Sequence, residues 1–293
     1  MATTIQSAFL EFKSNLEITG LQKLTVSTRQ KTVRDAVSKE LSVLDSFLTG
    51  SYSRSTMIAP LKEADIDIFV ILDADYFHHY NGKNGGQAGL LDLLKRTLKK
   101  TYTKTPDISR NGQAVTITFT DFIVDVVPAF NRQGGGFLIP NSVGQIWIGT
   151  DPKKHVEIWS ASNNWHNGDF VPLVKMLKRW NRMINSFFRS FHLETMALQI
   201  LDNVTISDFP SGVRFFFEKG RDYVTKQNPD PAGYKGDVGV YLNTRDKVDN
   251  AVSRFQTAYN RAFRAEDYAN RNQIGNAFNE WRKIFGNFFP SYG

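Results

Sequence analysis

"DIDIFVIL", residues 65–72, is an apolar run with two carboxylates set inside it, Asp65 and Asp67. Isoleucine, valine and phenylalanine dominate the run, and these residue types suit a pleated, half-buried surface. It is the strongest strand signal in the sequence. Side chains alternate between the two faces of a strand. Asp65 and Asp67 therefore point one way, and Ile66 and Ile68 point the other way, into a core. Two like charges side by side repel each other and resist burial. A divalent cation relieves both problems. Mg²⁺ typically binds through one or two carboxylates together with substrate phosphates.

"FIVDVVPAF", residues 122–130, repeats the oddity with Asp125 between Val124 and Val126. If this strand lies beside the first, Asp125 completes a three-carboxylate cluster. Such a cluster can hold two cations a few Å apart for phosphoryl-type transfer. Upstream, Gly50 and Ser51 follow the apolar "SFL" of residues 46–48. Glycine permits close backbone approach or a positive φ, and serine adds a hydroxyl. "SRSTMI", residues 53–58, has the makings of a short helix whose free N–H groups would face phosphate. Plainer readings stand beside each of these. A lone D-x-D is more often a solvated edge, Asp125 could pair with an arginine, and Gly-Ser is a common dipeptide. None of them explains why all three aspartates lie in apolar runs. Asp73, Asp75 and Asp121 read as ordinary turn residues, and His78-His79 is assigned no role.

Working outward, residues 28–45 read as a helix, with Thr28 as a cap and Val33, Val37, Leu41 and Leu44 on one face. "SFLTGS" reads as a short strand entering a turn, and "YFHHYNGKNGGQAG" and "NRQGGGFLIPN" as loops. "LLDLLKRTLKKTY" is an amphipathic helix with a basic outer face. "AVTITFT" alternates with period two and forms a hairpin with the strand of Asp125 around Asp121. Beyond about residue 150 nearly everything reads as helix, interrupted by "KQNPDPAGYKGDVG". The expected division is thus a mixed helix and strand lobe, residues 1–150, and a helical lobe, residues 151–293.

The chain has 293 residues, enough to bury a substantial core. It has no cysteine, which excludes disulfides and cysteine-ligated zinc. No apolar stretch is long enough to cross a bilayer. The N-terminus does not read as a signal peptide, so a soluble, cytoplasmic protein is expected. The net charge of +7 favours polyanionic partners such as nucleotides or nucleic acid, although many basic proteins bind neither.

The order Leu48-Thr49-Gly50-Ser51, Asp65-Ile66-Asp67, Val124-Asp125-Val126 resembles the signature of the DNA polymerase β-like nucleotidyltransferase superfamily. "GSYSRSTMIAPLKEADIDIFV" and "VDVVPAF" look like the bacterial CD-NTases, relatives of cyclic GMP–AMP synthase and oligoadenylate synthase that serve CBASS antiphage systems. The resemblance implies an α+β fold, a polymerase β-like core of mixed sheet and flanking helices packed against a mostly helical C-terminal lobe that closes the nucleotide cleft. It implies Asp65, Asp67 and Asp125 as catalytic ligands of two Mg²⁺ or Mn²⁺ ions. Gly50 and Ser51 would grip phosphate, Lys178 and Ser190 would anchor the triphosphate, and Phe191 would stack on a base. Lys175 is a second candidate for the lysine. The residue-level alternatives remain surface lysines, core phenylalanines and Ser190 as a helix cap. The implied activity joins NTPs, ATP among them, into a cyclic di- or trinucleotide messenger with release of pyrophosphate. The implied partners are CBASS accessory proteins and an effector acting through the product. The terminal Gly293 is a faint hint of conjugation by an accompanying ligase. The rival readings are a linear nucleotidyltransferase acting on RNA, oligonucleotide or protein, and a catalytically silent nucleic-acid-binding scaffold.

Overall fold

A computed structural model describes residues 2–103 and 107–293. Its contacts group the chain into two compact units, Ile18–Val156 and Met1–Glu17 with Glu157–Gly293. The boundary expected from composition alone lay at 150/151. In chain order, α1 (Ile5–Asn15) belongs to the second unit and α2 (Gly20–Ser38) opens the first. A capping box starts α2: the Thr19 hydroxyl accepts from the Gln22 N–H, and the Gln22 side chain answers the Thr19 N–H.

The helix expected over 28–45 is displaced. α2 runs earlier and stops at Ser38, and β1 (Val43–Thr49) takes residues 43–45 of the expected helix. The reason is pairing. Val43 and the residues from Asp45 to Thr49 align antiparallel with β2 (Asp65–Leu72), and Leu44 is the extra residue of a bulge, 58% exposed. Val33 and Val37 are fully buried, as their spacing implies.

After β1 come a short α3 (Gly50–Ser53), then β2, α4 (Ala74–Tyr80) and α5 (Gly86–Thr101). Strands β3 (Ile108–Asn111), β4 (Ala114–Thr118), β5 (Ile123–Asn131), β6 (Phe137–Asn141) and β7 (Ile146–Thr150) follow. Two expected loops are therefore partly ordered elements. "YFHHY" is helical because the Asp73 side chain caps it through the Asp75 N–H. "FLIPN" is a strand because it pairs with β5 and β7.

The sheet order is β1-β2-β5-β4-β3, with β2 and β5 parallel and the other pairs antiparallel. One face carries Ile66, Ile68, Val70, Leu72, Val124 and Val126 into a core shared with Val33 and Val37 of α2 and Leu90, Leu91, Leu94 and Leu98 of α5. The opposite face holds a smaller cluster of Phe69, Ile71, Val127, Ala129, Phe137 and Ile139.

The second unit is helical: α1, most of α6 (Pro152–Trp165), α7 (Phe170–Met183), α8 (Ser190–Ile200), α9 (Phe209–Tyr223), α10 (Arg245–Asn270) and α11 (Ile274–Phe285). Aromatic rings fill its core. Phe9 of α1 meets Trp281 edge-on at 4.9 Å, and Trp180 of α7 packs on Phe217 and Phe255 at 4.8 and 5.1 Å. Such pairs add to simple area burial.

Candidate active site

The site is built on the face of β2 that turns away from α2 and α5. Alternation puts Asp65 and Asp67 on that face, and two residues further it becomes apolar at Phe69. The parallel register sets Asp67 directly beside Asp125. Carboxylate oxygens of Asp65, Asp67 and Asp125 all lie within 4.8 Å of one another. Asp65 is exposed, and the other two are partly buried.

Crowding has an electrostatic consequence at Asp125. Burial pushes its carboxyl above the usual range, and the charge of Asp65 adds to this. The Thr116 hydroxyl opposes both, donating a 2.5 Å hydrogen bond to Asp125 Oδ1. Thr116 sits opposite Asp125 across the β4–β5 pair. Its role was not read from the sequence, although the period-two pattern of "AVTITFT" held the signal. Val115 and Ile117 are buried in the core, so Thr116 must face the carboxylates.

Gly50 closes one side. Thr49 pairs with Asp67, and the chain then turns with Gly50 at φ +66°. A Cβ at position 50 would stand 1.7 Å from Asp67 Oδ2, so both the conformation and the space demand glycine. Ser51 is half-buried, and its carbonyl accepts the N–H groups of Thr56 and Met57 at 2.9 and 3.1 Å. This corrects one expectation. The short helix is Gly50–Ser53, not a helix starting at Ser53, and the Thr56 and Met57 amides are spent on Ser51.

The donor set is all oxygen, the hard ligand type that suits Mg²⁺ or Mn²⁺. Converging carboxylates and a turn that leaves no room for a Cβ beside Asp67 fit a metal bound against phosphate.

Lys178, Ser190 and Phe191 belong to the helical unit. Lys178 is 7% exposed, and its ammonium donates to the fully buried Glu194 at 3.1 Å. Lys175, one turn earlier, is likewise buried and pairs with Glu17. Ser190 is exposed and is the first residue of α8. It is not the cap: that position falls to Arg189, whose side chain makes no capping bond. Phe191 is half-buried, its ring stacked on the buried Trp159 at 5.7 Å with 20° between planes. Asp121, expected in a solvated turn, pairs with Arg29 at 2.8 Å. His78 and His79 lie on α4, and neither belongs to the carboxylate cluster.

Comparison with known proteins fits this geometry. The model of the Second Messenger Oligonucleotide or Dinucleotide Synthetase domain matches residues 3–164. A cyclic AMP-AMP-AMP synthase of Acinetobacter sp. is 27% identical over 98% of this chain and 86% of its own length. A cyclic AMP-AMP-GMP synthase of Enterobacter hormaechei is 22% identical over 99% of this chain and 93% of its own. Among solved structures, the CdnC protein of E. coli with ATP superposes with a TM-score of 0.78 at 20% identity, covering 98% of this chain and 99% of that one. The same protein has also been solved in complex with HORMA-deltaN, with a TM-score of 0.77 at 20% identity over 98% of each chain.

Proposed function

The chain belongs to the Second Messenger Oligonucleotide or Dinucleotide Synthetase family, and from that premise we propose that it joins ATP, alone or with another NTP, into a cyclic trinucleotide messenger of antiphage defence. One observation carries the proposal: three carboxylates converge within 4.8 Å on one face of paired strands. The names of the relatives, synthases of cyclic AMP-AMP-AMP and cyclic AMP-AMP-GMP, support an adenine substrate and a three-membered ring.

In this reading Asp65, Asp67 and Asp125 hold two Mg²⁺ or Mn²⁺ ions. When bound, the ions neutralise triphosphate oxygens and polarise the attacking hydroxyl. The turn at Gly50 and the hydroxyl of Ser51 bind phosphate oxygens. Ser190 anchors the triphosphate, and Phe191, backed by Trp159, offers its ring to a base. A ribose hydroxyl of the acceptor attacks the donor's α-phosphate, the bond to the β-phosphate breaks, and pyrophosphate leaves. Repetition on the product closes the ring. The chain's contribution is positioning and charge stabilisation.

Lys178 has two roles to separate. As a triphosphate contact it would set the affinity for ATP. As the partner of Glu194 it would tie α7 to α8 beneath Ser190. Lys178→Met distinguishes them: a raised KM with an unchanged melting temperature supports contact, and a lowered melting temperature supports the tie.

A partner protein is also proposed, on the precedent of the E. coli structure with HORMA-deltaN. The net charge of +7 supports nucleic acid as a further partner. Among the described residues no helix is long and apolar enough to cross a membrane, which supports a cytoplasmic site of action.

The test incubates the purified chain with each NTP, singly and in pairs, with Mg²⁺ or Mn²⁺, and reads products by mass spectrometry. A phosphatase-resistant cyclic trinucleotide and stoichiometric pyrophosphate are expected. Linear, phosphatase-sensitive products would replace this reading with the linear transferase. Silence under every pairing, with and without nucleic acid and phage extract, would favour the scaffold.

A further inference from the structure

The start of α8 is held by two separated parts of the chain. From α7, Asn181 grips Phe188 on both sides: its Nδ2 donates to the Phe188 carbonyl at 2.7 Å, and its Oδ1 accepts the Phe188 N–H at 2.9 Å. The next residue, Arg189, is gripped from elsewhere. Its N–H donates to the Tyr241 hydroxyl at 3.1 Å, from the turn that precedes α10. The Arg189 guanidinium also lies over the Tyr241 ring, 4.7 Å from the centroid. Ser190 and Phe191 follow immediately.

Behind Tyr241 stands His192, 1% exposed, its Nδ1 2.9 Å from the same hydroxyl. Burial lowers the imidazole to about 4 and raises the phenol to about 12, so at neutral pH the ring is neutral and the hydroxyl keeps its proton. The hydroxyl already accepts from Arg189, and its one hydrogen is left to donate to His192 Nδ1. The three groups form a directed chain, Arg189 N–H to Tyr241 O–H to His192 Nδ1. Nδ1 as acceptor puts the imidazole proton on Nε2, which is buried and has no partner among the described residues. That nitrogen rests against Gly239, where a Cβ would come within 3.2 Å of Nε2 and 3.0 Å of Cε1. His192 thus keeps an orientation that leaves one nitrogen unsatisfied so that the other can hold Tyr241.

Arg189 makes no side-chain cap, so the first turn of α8 takes its position from these external holds. We infer that Tyr241, fixed by His192, is a positioning residue that sets where Ser190 and Phe191 meet the nucleoside triphosphate. This rests on the nucleotide role proposed above for Ser190 and Phe191. Binding is what the hold controls, so its loss appears in KM for ATP and not in kcat.

The experiment measures steady-state pyrophosphate release by the full chain against ATP concentration. Tyr241→Phe removes one oxygen and both of its hydrogen bonds. It is expected to raise KM about three- to tenfold, the worth of one or two neutral hydrogen bonds, with kcat within about twofold. His192→Leu should match it, and His192→Asn, which keeps an acceptor near the position of Nδ1, should restore most of the affinity. Gly239→Ala presses on the imidazole without removing any hydrogen bond and should raise KM in the same direction. It serves if Tyr241→Phe does not fold. Ser190→Ala combined with Tyr241→Phe should be no worse than the worse single variant.

If Ser190→Ala raises KM while Tyr241→Phe and Gly239→Ala leave it unchanged, the positioning role is wrong and the nucleotide reading survives. If Ser190→Ala leaves KM unchanged, the nucleotide reading of Ser190 fails and the positioning role falls with it. Strictly additive effects of the pair, or an equal fall in kcat and the melting temperature, would mark Tyr241 as a structural residue only.

Discussion

Two clusters of charge in this molecule follow opposite rules. On the sheet, Asp65, Asp67 and Asp125 gather like charge within 4.8 Å, and Asp125 draws help from the neutral hydroxyl of Thr116. In the helical unit, deep charges meet their opposites: Lys178 with Glu194, Lys175 with Glu17, and Glu280 with Arg264 and Lys283. Opposed charges neutralise one another and serve the scaffold. Gathered like charges repel one another, and a divalent cation from outside would reconcile them. Sign, more than burial, separates the site from its support.

The comparison breaks first if the carboxylates are dispensable. Asp67→Asn should cut pyrophosphate release by a factor of about 10³ or more, of the order seen when a key electrostatic group is removed. The melting temperature should hold or rise, because repulsion with Asp65 and Asp125 is relieved. A fall in stability with activity retained would make the cluster structural.

Next in size is the opposed pair. Glu194→Ala removes the buried carboxylate that pairs with the Lys178 ammonium and should cost about 3–5 kcal/mol in a urea melt. An unchanged melt would mean that Lys178 is already satisfied by other groups.

His192 gives a third, pH-dependent test. Its folded pKa of about 4 lies below the unfolded value of 6.5, so folding favours the neutral ring. That stability is complete above pH 6.5 and is lost as pH falls toward 4, reaching about 3 kcal/mol. Urea melts at pH 7.5 and 4.5 should differ more for the wild type than for His192→Asn by about that amount.

The smallest effect is expected at Thr116. Thr116→Val removes the hydrogen bond that stabilises the Asp125 carboxylate, and should weaken Mn²⁺ binding a few-fold by calorimetry with the fold unchanged.

How much of this was legible beforehand follows from the range of each signal. Asp65, Asp67 and Asp125 were readable because strand alternation is local and a carboxylate in an apolar run is conspicuous. Their convergence was readable only as a condition on neighbouring strands and through the family resemblance, since alternation within one strand does not supply the parallel register of β2 and β5. Thr116 was hidden for the same reason, because a threonine in a strand is unremarkable until its cross-strand neighbour is known. The 28–45 helix slipped because "VLDSFL" suits a strand once β2 is there to pair with it. Strands β3 and β7 and helices α1 and α6 went unread. The two strands are short and hold their form through neighbours. Lys178 was readable as a lysine on a helix, but its buried partner Glu194 sits on the next helix.

The parallel pairing of β2 with β5 also sets a timetable. Asp125 reaches Asp67 only after α4, α5, β3 and β4 have been made and the chain has returned to fill the middle of the sheet. Such non-local pairings form late. A nascent chain halted before β5 holds two of the three aspartates and lacks the third carboxylate. The candidate site is therefore a late product of synthesis: it is complete only once the central strand of the sheet has been added.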